Sequence, residues 1–316
     1  LVRPLTSGEW QVTGIVETTD KAIYYTSTET SPIRRNLYSI DYKGKKKTRL
    51  TELDGTYSIS PSKGMKYYIS TFTSASEGRL VELRNGKGEL IRTLVENPEL
   101  NEKLKTLPKK EFFTFTTERG DNLNAYIIKP VDFDPNKKYP VLLTQYSGPG
   151  SQSVADSFSM GWENVMVANG YIVVCCDGRG TGFMGEKFKK QTYGNLGALE
   201  VEDQISFARY MASQPYVDAD RIGVMGGSQG GALSITTAYL NPKVKCAGAF
   251  YPAMCDLTGY LHDQGNSWPY LFKNKALATK ERLETVKYYD VVNFARGLSC
   301  PIFVSYGYND LVVCPT

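Results

Sequence analysis

The run Arg221-Ile222-Gly223-Val224-Met225-Gly226-Gly227-Ser228-Gln229-Gly230-Gly231-Ala232 decides how this chain is read. Residues 222–225 form a short apolar stretch of strand type, and 232–240 have the composition of a helix. Between them a serine stands with glycines two positions to either side, Gly226 and Gly230. A serine on so abrupt a strand-to-helix turn takes a strained backbone, and strand and helix then approach too closely for side chains at the flanking positions. The helix N-terminus behind it lends partial positive charge where an oxyanion would form. Ser228 is therefore read as a nucleophile; a glycine-rich turn in an inert domain is the alternative.

Outward from this turn, apolar strands alternate with helices. Strands are expected at 111–117, 123–129, 140–146, 171–176, 222–225, 246–251 and 301–306, and helices at about 157–169, 199–213 and 232–240. That alternation means a parallel sheet covered on both faces. Joined to the serine turn, it is the pattern of an α/β-hydrolase domain, in which nucleophile, acid and histidine follow one another along the chain. The loop Gly307-Tyr308-Asn309-Asp310 leaves the last strand, so Asp310 is the candidate acid, with an ordinary turn aspartate as the alternative. The chain's single histidine, His262, precedes Asp310 and breaks the order. The base is expected beyond Thr316, with His262 as an out-of-order base the alternative.

The first hundred residues read differently, as short runs rich in Tyr, Thr, Ile and Val with turn residues between them. They repeat: Tyr24-Tyr25 recurs as Tyr67-Tyr68 and Leu37 as Leu80, each about 43 residues on, a period typical of propeller blades. Gly44 is matched by Gly86 and Gly88, and Leu50 by Leu94. Residues 1–108 are thus expected to be the last blades of a β-propeller and a polar connection. Residues 109–316 are expected to be the hydrolase domain without its histidine.

Bulk properties narrow the function classes. The 316 residues are 41% hydrophobic and 22% charged, a globular composition. A net charge of +4 is too small to argue for nucleic acid, and the basic run around Lys45-Lys46-Lys47 is read as a solvated hairpin turn. No apolar run approaches a membrane span. The six cysteines show no metal or disulfide spacing and are read as buried free thiols. No metal or other cofactor is expected.

Several runs together resemble the dipeptidyl peptidase IV branch of the prolyl oligopeptidase family. Leu5-Thr6-Ser7-Gly8-Glu9-Trp10-Gln11-Val12 resembles the opening strand of a late blade. Tyr139-Pro140 through Tyr146-Ser147-Gly148-Pro149, Asp177-Gly178-Arg179-Gly180-Thr181-Gly182, and Leu196-Gly197 followed by Glu200-Val201-Glu202-Asp203-Gln204 are similar to its hydrolase signatures. The resemblance implies a serine exopeptidase acting on short peptides through an acyl-enzyme, with Ser228 as nucleophile and Asp310 as acid. It makes Tyr146 one oxyanion donor and the Gln229 amide the other; a core tyrosine is the alternative for Tyr146. It also implies a periplasmic, secreted or membrane-anchored protein and a possible homodimer. Departures touch the substrate. The aromatics expected on either side of the serine are Gly227 and Gln229, no tyrosine-rich proline pocket is recognisable in 251–256, and Val312 stands for an asparagine. From Ser228 onward, Gly226-Gly227-Ser228-Gln229-Gly230-Gly231, Tyr289-Asp290-Val291-Val292-Asn293-Phe294-Ala295, and Asp310 followed by Cys314-Pro315-Thr316 also resemble acetyl xylan esterases of the cephalosporin deacetylase type. A carbohydrate acetyl esterase and an inactive propeller-bearing interaction protein are therefore the alternative functions.

Overall fold

The computed structural model describes residues 3–265, 268–307, 310, 312 and 313. The features expected at Tyr308, Asn309, Cys314, Pro315 and Thr316 lie outside the described residues. Two compact units are present: Leu1–Glu111 with Val154–Asn164 and Thr181–Lys190, and Phe112–Ser153 with Val165–Gly180 and Gln191–Thr316.

In the first unit, β1 (Val12–Thr18), β2 (Ala22–Ser27), β3 (Asn36–Asp41) and β4 (Lys47–Arg49) form one antiparallel sheet in sequence order. A second sheet repeats the plan with β5 (Thr56–Pro61), β6 (Tyr67–Ser74), β7 (Glu77–Asn85) and β8 (Leu90–Val95). Two consecutive four-stranded meanders are what propeller blades look like. The period-2 signal is plain in β6, which buries Tyr68, Ser70, Phe72 and Ser74. The basic run is the β3–β4 turn: Gly44 N–H donates to the Asp41 carbonyl, and Asp41 Oδ1 accepts the Lys45 and Lys46 amides at 2.7 and 3.1 Å.

The repeat is less regular than the sequence suggested. Tyr25 stands opposite Tyr38, but Tyr68 stands opposite Arg84 instead of Val81, so the tyrosine and leucine matches are not both structural equivalents. The first sheet has a long loop between β2 and β3, whereas β6 and β7 run on to a tight link at Ala75-Ser76, and the pairing slides accordingly. Leu5–Gln11 also lies ahead of β1 rather than within it. Helix α1 (Pro98–Leu104), with proline in its first turn, follows the second sheet.

The other sheet is seven-stranded among the described residues. It contains β9 (Lys110–Thr116), β10 (Asn122–Ile128), β11 (Tyr139–Gln145), β12 (Ile172–Asp177), β13 (Val217–Gly227), β14 (Val244–Phe250) and β15 (Ile302–Ser305). Their spatial order is β15-β14-β13-β11-β12-β10-β9, with β10 antiparallel to β12 and the pairs from β12 through β15 parallel. All six residues of β12 are buried, as a strand covered on both faces requires. Between strands come α2 (Trp162–Ala168), α3 (Glu186–Lys189), α4 (Ala198–Ala212), α5 (Gln229–Leu240), α6 (Lys280–Val286) and α7 (Val291–Ala295). Helix α2 is shorter than expected. The segment ahead of Gly161 is irregular, its start fixed by Asp156 N–H donating to the Ile33 carbonyl at 2.8 Å and Ser157 N–H to the Ala155 carbonyl at 2.9 Å. The thiols also differ from expectation. Cys175 and Cys176 are buried, but Cys246 is exposed and Cys255 and Cys300 are half-buried.

Candidate active site

Parallel strands deliver their C-terminal ends to one edge of the sheet, where ligands of such folds bind. Ser228 follows the end of β13, Tyr146 the end of β11, and Asp310 lies beyond the end of β15. Gln145 is the register partner of Gly226, which sets Tyr146 beside the serine turn.

The turn itself has φ 52° and ψ −119° at Ser228, a conformation disfavoured for any residue with a side chain. The flanking glycines explain how it is reached. A Cβ on Gly226 would lie 2.5 Å from the Gln145 carbonyl oxygen, and one on Gly230 would lie 2.3 Å from the same atom and 2.9 Å from Tyr146 Cα. At Gly227 the nearest atom would be Tyr251 Cε2 at an ordinary 3.6 Å. Gly230→Ala is therefore expected to destabilise the protein by about 3 kcal/mol, because the backbone of Gln145 and Tyr146 at the end of β11 must move away from α5. Gly227→Ala should stay within about 0.5 kcal/mol. Urea unfolding midpoints of the two variants test the contrast.

Gln229, the first residue of α5, is buried, and its side-chain Nε2 has no hydrogen-bond partner among the described residues. Tyr146 is 43% exposed, and its ring lies over Gly148, where a Cβ would come within 2.4 Å of Cε1. This is why a glycine follows two residues after the tyrosine. Ser147 between them has φ 55° and is anchored by Gln204, whose Nε2 donates to Ser147 Oγ at 3.1 Å and to the Cys176 carbonyl at 3.0 Å. Two runs distant in sequence also meet here. Arg179 Nη2 lies 2.6 Å from Asp203 Oδ1, and the Arg179 amide donates to Asp203 Oδ2 at 2.7 Å. Asp121 and Glu202 stand 3.2 and 3.5 Å from the same guanidinium. Glu200, in the first turn of α4, accepts the Gly197 amide, and burial pushes its carboxyl up to about 7.

Asp310 Oδ1 accepts the Val312 and Val313 amides at 2.8 and 2.9 Å. The Val313 and Val312 hydrogen bonds hold its carboxyl below the ordinary range, so it is ionised at neutral pH. Val313 packs in one cluster with Ala232 of α5 and Ala253 of the loop after β14. His262 is elsewhere, exposed at the end of a short 3₁₀ turn, Gly259–His262, beside a cavity also lined by Glu284, Lys287 and Arg296. Among the described residues it does not join Ser228 in any hydrogen bond. One residue that the sequence reading gave no role is Asp290, whose carboxylate shapes the loop after β14. An Asp directly before Val-Val-Asn-Phe-Ala is a helix N-cap pattern, and that was its available signal.

A mostly parallel sheet in this order, with a strained serine between a central strand and the following helix, defines an α/β-hydrolase. The prolyl oligopeptidase family model matches residues 157–316, and the model of the dipeptidyl peptidase IV N-terminal region matches residues 1–77. The chain belongs to the prolyl oligopeptidase family. It is 37% identical over 243 residues to a probable dipeptidyl-aminopeptidase B of Sclerotinia sclerotiorum, covering 74% of this chain and 26% of that protein. It is 36% identical over 241 residues to a probable dipeptidyl peptidase 4 of Emericella nidulans, covering 73% of this chain and 31% of that protein. The crystal structure of Porphyromonas gingivalis dipeptidyl peptidase 4 superposes with a TM-score of 0.85 at 38% identity, over 96% of this chain and 43% of that one. The chain thus spans about a quarter to a third of the length of these fungal relatives.

Proposed function

We propose that this chain belongs to a dipeptidyl peptidase IV-like serine peptidase that cleaves short peptides through an acyl-enzyme. In this reading Ser228 Oγ attacks the scissile carbonyl while a histidine accepts its proton. Asp310, ionised and fixed by two amides, orients that histidine. The tetrahedral oxyanion accepts hydrogen bonds from the Tyr146 hydroxyl and the Gln229 amide. Collapse of that intermediate breaks the C–N bond as the histidine returns the proton to the leaving amine, and attack of water on the acyl-enzyme then regenerates Ser228. The observation that carries the reading is the positive-φ serine between β13 and α5, with the Tyr146 backbone packed against Gly230. The likeness to a probable dipeptidyl-aminopeptidase B and to dipeptidyl peptidases 4 supports the peptide substrate.

The test is full-length protein offered dipeptidyl-nitroanilides, with and without proline in the second position, beside acetyl esters. Release of nitroaniline supports the peptidase. Turnover of acetyl esters alone would overturn it in favour of the esterase, the reading favoured by Gly227 and Gln229 where aromatics are expected around the serine. Tyr146→Phe is expected to lower kcat by about 10²–10³-fold with little change in KM, since the lost donor acts on the transition state. Steady-state nitroanilide kinetics check it.

A further inference from the structure

The loop that leaves β14 grips the nucleophile by its backbone. Ser228 N–H donates to the Phe250 carbonyl at 2.9 Å, and the Ser228 carbonyl accepts the Ala253 N–H at 2.9 Å. The same loop carries positive φ at Tyr251, Met254 and Asp256, of 38°, 62° and 47°. Such a shape persists only where its surroundings enforce it.

Asp290 supplies much of that enforcement. It caps α7, where its Oδ1 accepts the Val292 amide at 3.1 Å. The same oxygen accepts the Asp256 amide at 3.1 Å, and Oδ2 accepts the Leu257 amide at 2.8 Å. Next to it, Val291 N–H donates to the Met254 carbonyl at 2.9 Å. A side chain only 8% exposed thus ties the far end of the loop to a helix, while the near end holds both backbone groups of Ser228. The loop has a second tether, Met254 N–H to the Trp268 carbonyl at 2.9 Å, so losing Asp290 should loosen it without releasing it.

We propose that Asp290 is a positioning residue for catalysis, fixing the strained backbone of Ser228 through residues 250–257. The proposal rests on the catalytic reading given above for Ser228. It touches no substrate and takes no part in proton transfer.

The experiment compares Asp290→Ala and Asp290→Asn with Thr279→Ala in the full-length protein. Thr279 caps α6 through its side chain, accepting the Arg282 amide, but among the described residues has no hydrogen bond to the loop, so it controls for cap loss alone. Asp290→Ala is expected to slow both fluorophosphonate labelling of Ser228 and kcat by on the order of 10²-fold, the usual cost of misplacing a reacting group. KM should hardly move. Asp290→Asn keeps one acceptor oxygen and should fall between. Thr279→Ala should keep wild-type rates. Hydrogen exchange measured by mass spectrometry should quicken across 250–257 in Asp290→Ala and not in Thr279→Ala. Wild-type rates in Asp290→Ala, equal slowing in Thr279→Ala, or unchanged exchange would each overturn the proposal. A wild-type protein that neither labels nor turns over substrate would defeat the catalytic reading, and exchange would still decide whether Asp290 holds the loop.

Discussion

Ser228→Ala should leave the full-length protein folded and lower dipeptidyl-nitroanilide turnover by about 10⁴–10⁶-fold, the range seen when a triad nucleophile is removed. The hydroxyl is the only part lost, so the oxyanion donors and substrate contacts persist and KM should change little. Burst kinetics add a second readout: the wild type should release leaving group rapidly as the acyl-enzyme forms, and the variant should show no burst. A variant that keeps a tenth of the activity would remove Ser228 from the mechanism. Ser228→Gly provides a check on the strain. Alanine inherits the disfavoured φ 52° and ψ −119°, whereas glycine tolerates them. Ser228→Gly should therefore be more stable than Ser228→Ala by about 1 kcal/mol, read as a higher urea midpoint. Equal midpoints would mean that the turn stores little strain.

The second large effect concerns stability. Asp203 is fully buried and Arg179 is 4% exposed, and they share both side-chain and main-chain hydrogen bonds. Removing one partner of a buried ion pair strands the other, at a cost of about 3–5 kcal/mol. Asp203→Ala should fall near the lower end, about 3 kcal/mol, because Asp121 and Glu202 remain near the guanidinium at 3.2 and 3.5 Å. Part of the cost is local. The Arg179 amide loses its acceptor, and the loop after β12 loses a tie to α4. Asp203→Asn, which keeps the shape and one acceptor, should cost less. The measurement is the denaturant midpoint with slope compared across the three proteins. A loss below about 1 kcal/mol would mean that the pair behaves like a surface ion pair.

These two sites were legible to different degrees for a physical reason. The serine turn is encoded locally. Two glycines, an apolar strand and a helix lie within twenty residues of one another, and each states a steric requirement that the structure meets at Gly226 and Gly230. The parallel pairing from β11 through β15 follows from the same alternation of apolar runs, whereas the order of the strands does not. The Arg179–Asp203 pair joins two separate signatures, and nothing in either run says that they meet, because the contact is made only where the loop after β12 comes up against α4. Asp290 was readable as a helix cap but not as the anchor of a loop more than thirty residues earlier. Burial is the other gap. Cysteine is a poor guide when β14 leaves Cys246 exposed while the neighbouring motif buries Cys175 and Cys176. Blade register failed for a similar reason, since loop length, not side-chain identity, decides which residues face each other.

The first compact unit is not one continuous piece of chain. Besides Leu1–Glu111 it includes Val154–Asn164 and Thr181–Lys190, with Asp156 ion-paired to Arg34 at 3.0 Å and the Thr28 hydroxyl donating to the Phe183 carbonyl at 2.9 Å. A gene spliced at a single point near residue 111 would import new blades while keeping two inserts tailored to the old ones. Exchange of this half between relatives should therefore succeed only when all three segments travel together. Inheritance would then keep blades and inserts as one block, leaving recombination little room to shuffle them.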